Sequence, residues 1–239
     1  MRIDIVTCLP QLLASPFAHS VLHRAINKGL LHLHVHDLRD YTTDKHRKVD
    51  DYAYGGEAGM VLKVEPIARC INQLQKHTTY QEVIYMAPDG ERLTQRLANQ
   101  LALKDNLLIL CGHYKGVDER VREHFITREI SIGDYVLSGG ELPAAVLVDT
   151  VARLLPGVLS DETSALTDSF QDGLIAPPVY TRPANFQGMQ VPAVLLSGNA
   201  QAIQEWRHQE AINRTEQRRP ALYQHTRDAM LELGEKTPE

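Results

Sequence analysis

The feature that most limits the fold of this chain is an alternation of strand-like and helix-like segments before Pro156. Short apolar runs typical of strands occur at Ile3–Thr7, Leu31–His36, Glu82–Met86, Leu107–Cys111 and Phe125–Ile132. Helical spacing of apolar residues occurs at Phe17–Asn27, Pro66–Gln75, Leu93–Leu101, Val117–His124 and Glu141–Leu154. Because strands connected by helices form parallel sheets, the sequence predicts an α/β domain with a parallel sheet over residues 1–156.

The pattern changes after Pro156. Residues 157–180 contain no lysine or arginine but include four acidic residues, which are Asp161, Glu162, Asp168 and Asp172. Helical spacing resumes at Asn199–Glu216, where Asn199 is a good helix N-cap, and at Leu222–Leu233. We therefore expect a linker at 157–180 and a small all-helical C-terminal domain at 181–239.

The cysteines and the apolar segments indicate the compartment. Cys8, Cys70 and Cys111 show no CxxC or other paired spacing, so neither a disulfide framework nor a zinc site is expected. The N-terminus lacks a signal-peptide pattern, and no apolar run approaches the length that crosses a membrane. These features predict a cytoplasmic protein with no membrane partner.

Histidines alternate with apolar residues along the second predicted strand, at His32, His34 and His36. They could bind a metal ion or form a polar strand face. Because no carboxylate or cysteine spacing completes a ligand set, the polar face is the favoured interpretation, and no metal site is predicted.

The net charge alone does not indicate whether the protein binds nucleic acid, because the charged residues are unevenly distributed along the chain. The formal net charge of −5, from 25 Lys+Arg and 30 Asp+Glu, argues by itself against a nucleic-acid partner. Basic residues nevertheless gather in the segment Arg39–Lys48 and on a predicted helix beside Trp206, at Arg207, Arg214, Arg218 and Arg219. The spacing of the first three arginines puts them on one helical face, which suits a phosphate backbone. The alternative is a solvated helix whose arginines pair with Glu205, Glu210 and Glu216.

Glycine-bearing turns follow three of the predicted strands, at Ala87–Gly90, Cys111–Gly116 and Ser131–Pro143. Ligands of open α/β sheets bind beyond the carboxyl ends of the strands, and glycine allows a backbone to approach them closely. Any single turn could simply terminate its strand. The three together predict a pocket for one small molecule.

A further glycine-rich segment, YGGEAGM at Tyr54–Met60, lies in a long irregular stretch at 39–63. No GK[ST] follows its glycines and no apolar strand precedes them, which excludes a phosphate-binding loop or a dinucleotide fingerprint. The segment is interpreted as a flexible hinge in an active-site lid.

The stretches HRKVDDYAYGGEAGM, CGHYKGVDER, SIGDYVLSGGELPA, RLLPGVL, TDSF, YTRP, VPAVLLSGN and RTEQRRP occur in this order along the chain. Together they resemble the bacterial tRNA (guanine-N1)-methyltransferase family, TrmD, of the SPOUT class. The resemblance implies a trefoil knot at the C-terminal end of the α/β domain and S-adenosyl-L-methionine as the methyl donor. It also implies methylation at N1 of the guanosine immediately 3′ of the anticodon (tRNA position 37), which supports reading-frame maintenance.

The resemblance implies site residues as well. Asp168, in TDSF, matches the general base that removes the guanine N1 proton, and Arg153, in RLLPG, matches the arginine that stabilises the guanine O6. The donor pocket carried over from the family comprises Tyr85, Met86, Ala87, Pro88, Gly112, Tyr114, Gly116, Ser131, Ile132, Gly133, Asp134, Tyr135, Val136, Leu137, Gly139, Gly140 and Pro143.

The implied partners are the tRNA anticodon stem-loop and a second copy of the chain, since the family's active site lies at a homodimer interface. Residues expected to contact tRNA are His46, Arg47, Asp50 and Gly59, together with the four arginines of the basic helix. The resemblance is compatible with Mg²⁺ dependence, but no residue is assigned to the ion.

Some positions depart from the commonest family pattern: Glu57 and Ala58 in the glycine segment, Lys115 where a glutamate is common, and Ala200 where a histidine is common. The resemblance implies that position 115 lies close to the amino-acid end of the donor, so the lysine is expected to alter donor or metal contacts. Two other functions stay open. One is another SPOUT RNA methyltransferase, acting on ribosomal RNA or a ribose 2′-hydroxyl, and the other is a non-catalytic RNA-binding module.

Overall fold

The computed structural model describes residues 1–56, 58–160, 165 and 167–232. Its contacts divide the chain into two compact units, Met1–Glu162 and Thr163–Glu239. The residues Glu57, Asp161, Glu162 and Leu233, which the sequence analysis named, lie outside the described residues. The predicted limits of 1–156, 157–180 and 181–239 stay a prediction.

The first unit is built on a five-stranded sheet in the order β2-β1-β6-β5-β7, and every neighbouring pair is parallel. The strands are β1 (Arg2–Thr7), β2 (His32–Asp37), β5 (Glu82–Arg92), β6 (Asn106–Cys111) and β7 (Arg128–Ser131). The predicted α/β architecture with a parallel sheet is confirmed.

Helices cover both faces of this sheet. They are α1 (Ala14–Phe17), α2 (Ser20–Asn27), α3 (Val64–Gln75), α4 (Gln95–Ala102), α5 (Glu119–Phe125) and α6 (Glu141–Ala152). One buried cluster joins Leu107 and Ile109 to α4 and α6, and a second joins Leu108 and Leu110 to α3. Because each face of β6 enters an apolar layer, its sequence is continuously apolar rather than alternating.

The predicted helix at Phe17–Asn27 is wrong in its length. It is divided into α1 and α2, and Ser20, at the start of α2, has a φ of 57°. The predicted stop at Gly29 is confirmed: its φ is 70°, and its N–H donates to the carbonyl of Ile26. This is the left-handed geometry that glycine adopts without steric cost.

The stretch at 39–63 is not wholly irregular, which corrects the sequence expectation. It contains an antiparallel pair, β3 (Asp50–Tyr52) and β4 (Met60–Leu62). Val49 and Leu62 are fully buried and hold the base of the hairpin in the second cluster. The Leu62 N–H donates to the carbonyl of Gly116, so the hairpin is tied to the glycine turn that follows β6.

The first glycine turn also differs from expectation. Ala87–Gly90 does not end β5 but forms an irregularity within it, with a register shift between Met86 and Glu91. A methyl group built on Gly90 would lie 2.5 Å from the carbonyl carbon of Glu129, so the glycine is required by close backbone contact with β7.

The second unit contains α7 (Ala193–Leu196), α8 (Ala200–Arg218) and α9 (Pro220–Glu232). The Asn199 side chain accepts a hydrogen bond from the Ala202 N–H, which confirms the predicted N-cap. The unit is not all-helical, because β8 (Asn185–Phe186) pairs with β9 (Met189–Gln190). The intervening Gln187 and Gly188 both have positive φ, as a two-residue hairpin turn requires.

A segment of the predicted linker is an ordered turn, residues 167–176, packed within the second unit. The Thr215 hydroxyl on α8 accepts from the Ile175 N–H at 2.8 Å, and the Thr226 hydroxyl on α9 donates to the Gly173 carbonyl at 3.0 Å. Leu174 is buried against Ala211 and Ile212 of α8. We refer to residues 167–176 as the acidic turn.

A buried carboxylate is held between the first two strands. Asp4 is fully buried, Arg2 donates to it at 2.6 and 3.0 Å, and the His36 ring lies 2.7 Å away. Burial by itself would raise the pKa of Asp4, but the hydrogen bonds from His36 and Arg2 outweigh it and hold the pKa well below 3.8.

We expect Asp4→Asn to lower the free energy of unfolding by about 2 kcal/mol near neutral pH, because charge-assisted hydrogen bonds are lost. A carboxyl group with a depressed pKa stabilises the fold above its unfolded pKa, and that stability is lost as the pH falls toward its folded pKa. The difference in free energy of unfolding between wild type and variant should therefore shrink from about pH 5 downward. Urea unfolding at several pH values from neutral to acidic measures this difference. A difference that does not change with pH would contradict the depressed pKa of Asp4.

Candidate active site

A cavity of about 250 Å³ opens where β5, β6 and β7 run into their glycine segments. It is lined by the part of β5 that leads into its irregularity, by the turn after β6, by the end of β7 and the segment after it, and by the first turn of α6. The lining comprises Tyr85–Pro88, Gly112–Gly116, Ile130–Gly133, Tyr135–Gly140 and Pro143. The three glycine segments singled out in the sequence therefore meet around one space.

The predicted donor residues lie in this cavity with a single exception. Asp134 does not line it: the carboxylate is 83% exposed and accepts a hydrogen bond from Arg92 at 2.5 Å. His113 and Ile130, which the sequence did not assign to the pocket, also line the cavity. Lys115, named from the sequence only as a departure from the family pattern, and Ser138, within the predicted segment Ser131–Pro143, line it as well. All four belong to the predicted strands or glycine segments, so the continuity of each segment accounts for their position. The donor-binding role of the lining residues stays a prediction.

Tyr85 forms the floor of the cavity under the turn after β6. Its side chain is buried, and methyl groups built on Gly112 and Gly116 would lie 2.7 and 3.3 Å from its phenol oxygen. The turn therefore lies directly on the phenol, and a side chain at Gly112 would displace either the turn or the Tyr85 ring. Burial raises the pKa of Tyr85 despite the nearby Arg122, so the phenol is protonated at neutral pH.

Arg122 on α5 supports this floor from outside the cavity. Its guanidinium lies 5.7 Å from the centre of the Tyr85 ring and donates to Glu129 on β7 and to Asp89 in the irregular part of β5. These contacts connect α5, β5 and β7 beneath the site. No local pattern in the sequence marks Arg122, because its partners are 33 and 7 positions away along the chain.

The segment after β7 is held by one close backbone approach and one buried carboxylate. The Gly140 N–H donates to the Gly112 carbonyl at 2.8 Å, and a methyl group on Gly140 would lie 2.8 Å from the Cα of Cys111. Glu141, at the start of α6, is buried and accepts from the Thr7 hydroxyl at 2.6 Å. A carboxylate in the first turn of a helix is favoured by the helix dipole.

The two predicted catalytic residues belong to different units. Arg153 is the C-cap of α6 and is half-buried. Asp168 lies in the acidic turn of the second unit and is also half-buried. The neighbouring Ser169 hydroxyl accepts from the Ala176 N–H at 3.0 Å, which closes the turn across its base.

The predicted tRNA residues of the first unit cluster in and before the β3–β4 hairpin. His46 is exposed, and Arg47 has a φ of 56° with its guanidinium paired to Asp40. Asp50 begins β3, and Gly59 lies over the side chain of Lys115, where a methyl group would be 2.9 Å from its Cγ. Gly59 thus brings the hairpin next to the cavity lining.

The predicted basic face of α8 is formed in the second unit. Arg207 and Arg218 are exposed, Arg214 is half-buried with an unpartnered buried Nε, and Arg219 follows the helix end. In the described ranges, no carboxylate lies within 4 Å of these guanidinium groups. The alternative of pairing with neighbouring glutamates on α8 is therefore not realised.

No group of three His, Cys, Asp or Glu residues in the described part of the chain is arranged to hold a metal ion. His36 instead contacts Asp4, while His32 and His34 are exposed. Within the same residues, every helix is too short or too polar to span a lipid bilayer.

Comparison with known proteins identifies the family. The model of the family described as tRNA (Guanine-1)-methyltransferase TrmD matches residues 1–225. The chain belongs to this family. The resemblance found in the sequence motifs is thus confirmed, and so is the assignment to methyl-transferring enzymes.

Relatives from several bacteria carry the name tRNA (guanine-N(1)-)-methyltransferase. One from Christiangramia forsetii is 62% identical over 93% of this chain and 98% of its own length. One from Cytophaga hutchinsonii is 65% identical over 94% of this chain and 95% of its own length, and one from Bacteroides thetaiotaomicron is 59% identical over 93% and 99%. Family membership therefore extends across both compact units.

We expect Gly112→Ala to weaken binding of a ligand in the cavity at least about tenfold, because the new methyl group would push the turn off Tyr85. In a Tyr85→Phe background the phenol oxygen, which is the atom nearest the new methyl group, is absent. Gly112→Ala should therefore weaken ligand binding by a smaller factor in that background. Calorimetric titration of the four proteins with S-adenosyl-L-methionine measures both effects. Equal losses in the two backgrounds would show that the phenol contact does not shape the turn.

Proposed function

We propose that this enzyme methylates N1 of the guanosine immediately 3′ of the anticodon (tRNA position 37), with S-adenosyl-L-methionine as donor. Membership of the TrmD family over residues 1–225 is the observation that carries the proposal. The modification would act in reading-frame maintenance in the cytoplasm. We assign no residue to Mg²⁺.

The residues of the cavity suit such a donor. Leu137 and Pro143 offer apolar contact, and the backbone groups of the glycine segments offer hydrogen bonds to an adenine ring. The close approaches at Gly112 and Gly140 leave a space that added Cβ atoms would distort. When bound, S-adenosyl-L-methionine supplies an electrophilic methyl group.

The reaction needs a base because guanine N1 carries a proton at neutral pH. Asp168 accepts that proton as N1 forms its bond to the methyl carbon, whose bond to sulfur breaks. The negative charge that develops on the guanine O6 during proton loss is stabilised by the Arg153 guanidinium. The proton would end on the Asp168 carboxylate.

The same proposal includes a trefoil knot and a homodimer whose active site lies at the subunit interface. The contact of Gly140 with the end of β6 supports a chain crossing at that place. The outer face of α6 exposes Leu142 (54%) and Val146 (45%) on the same face as Arg153. An apolar face that leads to a reactive residue supports a second copy as its partner, and Asp168 would act in the pocket of the partner subunit.

Recognition of the anticodon stem-loop is proposed for both units. The guanidinium groups of Arg207, Arg214 and Arg218, which have no carboxylate within 4 Å in the part of the chain that the structure describes, support phosphate binding by α8. Arg219 extends that surface. His46, Arg47, Asp50 and Gly59 would contact RNA from the region of the β3–β4 hairpin.

We expect Asp168→Asn to lower methyl transfer by about a thousandfold and to leave donor affinity unchanged, since the amide cannot accept the proton. Asp172→Asn is the matched control. Its side chain also lies in the acidic turn, and an amide oxygen can still accept from the Leu174 N–H. Incorporation of labelled methyl groups into tRNA measures the rates.

The same assay with tRNA that differs only in the base 3′ of the anticodon tests the substrate. Methylation that does not depend on this base would exclude the proposed target. Full activity of Asp168→Asn would exclude Asp168 as the base and leave the substrate assignment standing.

We expect Arg207→Ala and Arg218→Ala each to weaken tRNA binding and to reduce the slope of log affinity against log salt by about one. Arg96→Ala removes an exposed arginine from α4 in the first unit and serves as the control. Filter binding at several salt concentrations measures the slope. An unchanged slope in both α8 variants would show that this helix does not neutralise phosphates.

A further inference from the structure

Among the described residues that line the cavity, Lys115 is the one whose side chain ends in an ammonium, guanidinium or carboxylate group. The other lining side chains are apolar, hydroxyl-bearing or absent, apart from the imidazole of His113. A nearly neutral cavity with one ammonium group selects ligands by where their negative charge lies. This charge therefore bears on how the donor is oriented.

The backbone and the stem of Lys115 fix which end of the cavity carries the charge. The Lys115 N–H donates to the carbonyl of Met60, at the start of β4, at 3.0 Å. A methyl group on Gly59 would lie 2.9 Å from the Cγ and 3.2 Å from the Cε of Lys115. The aliphatic stem thus runs along Gly59 as far as Cε, and the exposed Lys115 side chain lies at the end of the cavity nearest the β3–β4 hairpin.

The proposed donor carries three charged groups: a carboxylate, an ammonium and a sulfonium. The carboxylate is attracted by the Lys115 ammonium, whereas the two cations are repelled by it. A charge-assisted hydrogen bond to a carboxylate is stronger than one between neutral groups. The cavity offers no second cation among its described lining residues to compete for that carboxylate.

We propose that Lys115 binds the carboxylate of the donor's amino-acid moiety and is a specificity-determining residue of the site. The inference rests on the proposed function, since it assumes this donor. It directs the amino-acid end toward Gly59 and the hairpin, and leaves the adenine for the apolar part near Leu137 and Pro143. The demethylated product keeps the carboxylate and is held by the same contact.

The test compares S-adenosyl-L-methionine with its decarboxylated form, which differs only by loss of the carboxylate. Wild-type protein should bind the complete donor about tenfold more tightly, which corresponds to about 1.4 kcal/mol. Lys115→Met keeps the stem on Gly59 and removes the charge, and it should bind both compounds equally. Lys115→Arg should restore the preference, and calorimetric titration supplies each dissociation constant.

Lys76→Met is the matched control, because Lys76 is exposed at the end of α3 and does not line the cavity. It loses the same charge and should keep the tenfold preference. Circular dichroism of each variant checks that the fold is retained.

The outcomes separate this inference from the proposed function. If wild-type protein binds neither compound, the donor assignment fails and the inference fails with it. If wild type prefers the complete donor and Lys115→Met keeps that preference, the donor stands and the inference is overturned. Lower tRNA affinity of Lys115→Met without any change in donor preference would also overturn it, because the ammonium group would then face a phosphate.

Discussion

The close approach of Gly140 to the end of β6 is the constraint on which the rest of the site depends. The Gly140 N–H binds the Gly112 carbonyl, and no space remains for a side chain between Gly140 and Cys111. This contact brings the segment after β7 against the turn after β6. Without it, the two segments would not share a cavity, and α6 would not start where Glu141 reaches Thr7.

Polar contacts below the cavity keep this arrangement from relaxing. Arg122 connects Asp89, Glu129 and the Tyr85 ring, and Tyr85 in turn supports the turn after β6. Arg122, Asp89 and Glu129 do not line the cavity, so part of its support comes from contacts outside it. A residue such as Arg122 thus matters to the site without touching the space in which a ligand would lie.

Sequence reasoning predicted the parts of the fold that local patterns determine. The five strands of the sheet were found because their apolar runs are long enough to recognise, and the Asn199 cap because a short polar side chain precedes a helical pattern. The β3–β4 hairpin was missed because its strands are three residues long and β3 begins with Asp50 and Asp51. Its stability comes from Val49 and Leu62 packing in the core, which is a non-local effect.

The same distinction holds within the site. Glycine turns and family motifs pointed to the residues around the cavity, since these lie in continuous segments. Motif membership does not fix the direction of a side chain, and Asp134 points instead toward Arg92. The departure at Lys115 was visible in the sequence, but its place beside Gly59 depends on a hairpin that the sequence did not predict.

The anchoring of the acidic turn has a consequence for the order of events. Thr215 holds the turn from the same helix that carries Arg207, Arg214 and Arg218, so Asp168 and the arginines belong to one packed unit. If α8 binds RNA as proposed, that RNA would lie on the same unit as the proposed base. In such an arrangement, RNA binding by α8 would precede methyl transfer, and an RNA that α8 does not bind would not reach the carboxylate of Asp168.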